Sequence, residues 1–311
     1  MVLPARTRTV NAAVVVDPVA ILVRQYRAAI MAIAKRISLG TLLPDSYLAA
    51  QIPFILKELG RLDAFSKVWA ERQVPAAYRT GAAVAQREII AASSPLLRAR
   101  FTGVDGRATL ALVSRTSSEL SSIVTALTQG LLGGERPNTA KAVGLMREAL
   151  IGDGKTVLLR GRGLAVRVPS GRYWDVDAYA RMEGRTATSD ALRVGRRMRY
   201  LQNGVDVVVV ISTGTICPIC APWEGEQLSL TGATPDLPTP EEAREDGLWH
   251  PNCEHSYVID GDAEQPERDL TEEAGSEEEA NFPTLGLRPP EIRISPTSRI
   301  RMKIAETIAR R

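Results

Sequence analysis

The sequence predicts an α+β protein: a helical N-terminal half, then a small mixed α/β domain, then a flexible tail. Three observations carry this. Apolar residues recur at helical spacing, between good caps, as far as Gly152. A short strand pair and a β-branched run, Val205 to Ile211, follow. From Asp262 to Ala280 the chain is acidic and poor in apolar residues, so it buries too little surface to offset its ordering entropy. The expected division is an N-terminal arm (1–16), a helical domain (17–152), an α+β domain (153–261), an acidic linker (262–287) and a basic tail (288–311).

Asp17-Pro18 opens the first helix: aspartate caps and proline suits the first turn. Leu22, Tyr26, Ile30 and Ile33 continue it towards Gly40. A second helix starts near Pro44-Asp45-Ser46 and runs with a kink at Pro53 to Val74. A third covers Pro75 to Ala92. Asp105 caps a long amphipathic helix with Leu112, Thr116, Leu120, Ile123, Leu127 and Leu131 on one face, ended by Gly133-Gly134. Thr139 to Leu150 forms another. Such stripes need partners, within a bundle or on other chains.

Beyond Gly152, Val157 to Val168 reads as a hairpin around Gly161 and Gly163. Asp175 to Leu201 is an arginine-rich helix stopped by Asn203-Gly204, and Val205 to Ile211 is a buried strand. Pro240 to Asp246 is a short helix, and Tyr257-Val258-Ile259 a last strand. Gly152-Asp-Gly-Lys155-Thr156 imitates the end of a phosphate loop, but Ala149 stands where that motif needs glycine, and a helix precedes it. In the tail, Ile300, Ile304 and Ile308 line one face of a short basic helix suited to docking.

Composition excludes several classes. Hydrophobic residues are 44% and charged residues 24%, as in ordinary globular proteins. A net charge of +3 does not by itself announce a nucleic-acid binder. No apolar run reaches the ~20 residues of a membrane span, and no signal peptide is expected. No Ser/His/Asp arrangement is available and no small-molecule substrate is indicated, so no enzyme is expected.

The least even feature is that all three cysteines and both histidines lie within residues 217–255. Cys217-Pro-Ile-Cys220 and His250-Pro-Asn-Cys253-Glu-His255 supply two ligand pairs on two turns. Zinc asks for four such donors in a tetrahedron. The expected set is Cys217, Cys220, His250 and Cys253, with His255 as the alternative fourth ligand, and the expected role is a structural staple for the α/β domain. A redox pair would open a helix within a βαβ unit, whereas here a strand enters a proline-rich loop. Glu224, Glu226 and Glu254 nearby leave a catalytic metal open. Arg193, Arg196, Arg197 and Arg199 are candidates for contact with DNA or a protein partner.

Taken in order, Asp177-Ala-Tyr179-Ala-Arg181-Met182-Glu-Gly-Arg185-Thr186, Asn203-Gly204-Val-Asp206-Val207-Val208, Cys217-Pro-Ile-Cys220-Ala-Pro222-Trp223-Glu-Gly225 and Gly247-Leu248-Trp249-His250-Pro251-Asn252-Cys253-Glu-His255-Ser256 resemble the tailed-phage minor capsid protein family, related to the Mu F-like head morphogenesis proteins. The resemblance spans about residues 155–260. It departs at Glu254, where the family usually has arginine. It implies a virion protein of the capsid interior or portal vertex, present in the host cytoplasm during assembly. Its implied partners are the portal and/or the major capsid protein, and packaged DNA. The competing reading is a metal-dependent hydrolase or other virion-packaged effector enzyme, which the short polar tail disfavours.

Overall fold

The computed structural model describes residues 17–92, 105–168, 170–212 and 217–260. The arm at 1–16, the acidic linker and the basic tail lie outside these residues. α1 spans Pro18–Ser38, with the Asp17 side chain accepting a hydrogen bond from Val19 N. α2 spans Asp45–Ala91, α3 Gly106–Leu132 and α4 Thr139–Ile151. Asp105 caps α3, and Gly133 ends it in the left-handed region.

The second and third expected helices are one. α2 continues for 47 residues through Pro53 and Pro75. Each interior proline costs about 3 kcal/mol of helix propensity. Against this, α2 buries Ile52, Ile55 and Leu59 beside the first proline, and Val74 and Tyr78 beside the second. At about 1.5–3 kcal/mol for each large side chain buried, tertiary packing wins.

β1 (Val157–Arg160), β2 (Gly163–Arg167) and β3 (Tyr173–Asp175) form an antiparallel sheet in that order. α5 (Val176–Leu201) follows directly. A second antiparallel sheet has the order β5-β4-β6, from β4 (Val207–Ile211), β5 (Gln227–Ser229) and β6 (Ser256–Ile259). α6 (Pro240–Glu245) precedes the last strand, opened by a Thr239–Glu242 capping box. The three-residue strands β3 and β5 are too short to leave a period in the sequence.

The apolar core does not divide at residue 152. Val157, Leu164 and Val166 of the first sheet share one cluster with Leu22, Ile30, Leu59 and Leu127 of the helices. A second cluster joins Ala85 and Ile89 of α2 to Tyr200, the second sheet and all three cysteines. A smaller one between them holds Val74, Tyr78, Leu112 and Ala191. The helical body therefore includes the first sheet, and the second sheet forms a module at the far end of α2 and α5. Those two helices cross closely. A Cβ on Gly81 would lie 2.0 Å from Leu192 O, and one on Gly195 would lie 2.1 Å from Tyr78 O. Among the described residues, no helix is long and apolar enough to cross a membrane.

Candidate metal centre

Two tight turns present the ligands. In the first, Cys220 N and Ala221 N donate to Cys217 O. In the second, Cys253 N donates to His250 O. Each turn sets its two ligand residues three positions apart. The second turn needs Trp249 at φ 60° and Asn252 at φ 65°, both left-handed. Asparagine tolerates that region, but for tryptophan it costs ~1–3 kcal/mol. Trp249 is held there by packing. The Arg193 guanidinium lies 5.5 Å from its ring centroid, and the Tyr257 ring meets it edge-on at 5.7 Å.

All three cysteines are free thiols and all are buried. Cys217 Sγ lies 3.0 Å from His250 Nε2, Cys220 Sγ 3.5 Å from Cys253 Sγ, and Cys253 Sγ 3.5 Å from His255 Nδ1. The donor atoms of Cys217, Cys220 and His250 lie within 4.8 Å of one another, as do those of Cys220, Cys253 and His255. Cys220 is common to both groups. Each imidazole also has an outer partner. His250 Nδ1 is 2.8 Å from Pro251 O, and His255 Nε2 is 2.6 Å from Glu224 Oε1. An acceptor on the outer nitrogen places the proton there and leaves the inner nitrogen as a lone pair facing sulfur. Cys253 is held down at about 5, first by its hydrogen bond with Cys220, while that same bond and then burial push Cys220 up. Three buried sulfurs beside two imidazole nitrogens are a donor set for a soft divalent cation.

The arginines of α5 bind the module to the helical body. Arg193 donates to His255 O at 3.0 Å and to Asp190 at 2.6 Å. Arg196 donates to Ser256 Oγ, Tyr257 O and Glu88, and Arg197 to Leu230 O and Glu241. Arg199, 2% exposed, donates to Gln86 and Gln202. All four guanidinium groups, the candidates for DNA or partner contact, are hydrogen-bonded within the chain.

Two residues of this junction escaped the sequence reading. Asp190, 3% exposed, takes Arg193, Arg244 and Arg115 at once. Burial raises its pKa, but the three guanidinium charges outweigh that and hold the carboxyl at about 2. Asp206, 1% exposed, accepts from the hydroxyls of Ser229, Thr231 and Thr234 and so ties β4 to the loop after β5. The Asp190-x-x-Arg193 spacing was a legible hint of an ion pair on one helix face.

A family model described as phage minor capsid protein 2 matches residues 159–288. This segment belongs to a phage minor capsid protein family. The matched segment takes in α5, the second sheet and the whole Cys/His cluster. The match supports a phage structural protein that forms part of the virion. No curated protein and no solved structure matches it.

Proposed function

We propose that the chain is a head morphogenesis component of a tailed phage, associated with the portal or the inner head, whose C-terminal module is stapled by a structural zinc ion. The family match supports the first part. The observation that supports the second is a pair of buried three-donor groups, Cys217/Cys220/His250 and Cys220/Cys253/His255, which share Cys220. We assign Cys217, Cys220, His250 and Cys253 as the zinc ligands. His255, two residues beyond its turn and paired with Glu224, stands beside them as the alternative fourth ligand. Held there, zinc would cross-link two loops whose side chains already share the second apolar cluster.

Zinc competition with a chromogenic chelator tests the assignment. His250→Ala should abolish stoichiometric binding. His255→Ala should weaken it only by roughly ten- to a hundred-fold, the usual effect of an outer partner. The reverse order would exchange the two histidines. Parent protein purified without bound zinc, and unable to take it up, would end the proposal. Portal association is tested by co-assembly with the portal protein of the same phage.

One observation favours a second reading. Glu224 reaches His255 at 2.6 Å, which sets an acid/base group beside the cation site, as a metal-dependent hydrolase requires. Glu224→Gln separates the two. A head protein keeps its zinc and its assembly, whereas a hydrolase loses turnover.

A further inference from the structure

Charge is distributed very unevenly over the described residues. α1 carries Arg24, Arg27, Lys35 and Arg36 and no carboxylate. Residues 154–174, which hold the first sheet, carry Lys155, Arg160, Arg162, Arg167 and Arg172 and again no carboxylate. All nine cations are on exposed residues. The two elements pack together: a Cβ on Gly163, at the start of β2, would lie 3.7 Å from Ile30 of α1. The start of α5 links them from the side. Arg27 pairs with Asp177 at 2.7 Å, and Arg160 with Asp175 at 3.8 Å. By contrast the exposed face of α2 alternates sign, as in the Lys67–Asp63 and Arg61–Glu58 pairs. The metal module adds Glu224, Glu226, Glu241, Glu242, Glu245 and Asp246. Among the described residues the chain thus has a strongly basic pole.

We propose that this pole, the face made by α1 and the β1-β2-β3 sheet, binds the phosphate backbone of double-stranded DNA. Seven of the nine cations are arginines, whose planar forks match phosphate oxygens. Along α1 they run from Arg24 to Arg36, roughly 18 Å at the helical rise, long enough to meet successive phosphates. A protein partner would ask for a buried apolar anchor at the centre of the patch. On the outer face of α1 the one large exposed apolar side chain is Met31, at 42%. A polyanion that is charged throughout fits better than an acidic protein surface. The binding is sequence-independent, because nothing on this face is shaped to enter a groove and read base edges. It stands independently of the zinc assignment, since none of these residues touches the Cys/His cluster.

The test is fluorescence anisotropy of the full chain with a labelled duplex of arbitrary sequence, titrated across sodium chloride concentrations. The key variant combines Arg24→Gln, Lys35→Gln, Arg160→Gln and Arg162→Gln. Its control removes the same charge from α2 through Lys57→Gln, Arg61→Gln, Lys67→Gln and Arg72→Gln. All eight positions are exposed, so circular dichroism and thermal melting should be unchanged. The key variant should bind at least tenfold more weakly, and its slope of log K against log salt should be shallower by about 3 to 4, near 0.9 for each phosphate contact removed. The control should bind as the parent does. Equal losses in both variants would mean that net charge alone acts, and would overturn the proposal. So would no loss in the key variant, or displacement of the labelled duplex by polyglutamate more effectively than by unlabelled duplex.

Discussion

Asp190 carries one negative charge into a place that three arginines reach from α3, α5 and α6. Removing it would strand Arg193 close to the Trp249 ring and the His255 carbonyl. Asp190→Asn should therefore cost about 3 kcal/mol or more in urea unfolding at neutral pH. The carboxyl is held at about 2, below its unfolded value. Its contribution is thus complete above an unfolded pKa of about 4, and the gap between variant and parent should close as the pH falls from there towards 2. Glu183 runs the other way. Burial, then the neighbouring Glu119 charge, raise it to about 7, against the opposing pull of Arg115 and the Tyr179 hydroxyl. Its neutral form is the one the fold accepts, so its contribution is intact below about pH 4 and fades as pH rises through 7. Glu183→Gln should stabilise the protein at pH 8 by roughly 3 kcal/mol and have little effect at pH 4.

At the scale of elements, the α2–α5 crossing rests on backbone meeting backbone. Gly195→Ala would drive a methyl group into Tyr78 O, which no rotamer change relieves. It should cost about 1–3 kcal/mol, read as a lowered melting temperature, whereas Gly60→Ala, in open space on the same α2, should not lower it. What could be read from sequence follows from the range of the physics involved. Caps and the 3.6-residue period are local, so α1, α3, α4 and α5 were legible nearly to the residue. Pro53 and Pro75 are local stop signals, and the burial that overrides them comes from distant segments. Cysteine and histidine declare their chemistry by type, so the ligand cluster was legible. The task of the α5 arginines was not, since Arg196 finds Glu88 and Tyr257 O 108 and 61 positions away.

For the whole molecule, the separate apolar clusters predict a divided response to removal of the proposed zinc. The cysteines belong to the cluster of the second sheet, while the large helical cluster contains none of them. A strong chelator should make residues 205–259 sensitive to protease and leave the fragment from α1 to β3 resistant, with most helical circular dichroism retained. Cys217→Ser should do the same without chelator. Simultaneous loss of both parts would show that the arginine junction of α5, rather than the metal, governs cooperativity.

The length of α2 has a further consequence. At 47 residues it extends for about 70 Å, with the α1 turn at one end and Ala85 and Ile89 under the metal module at the other. A single uninterrupted helix works as a spacer: it sets a fixed interval between whatever each end touches. In a particle whose shell and contents lie at defined radii, the basic pole and the module would then occupy two depths separated by a distance written into one helix. Adding or deleting two turns of α2 alone would shift one end against the other and break the register with α5.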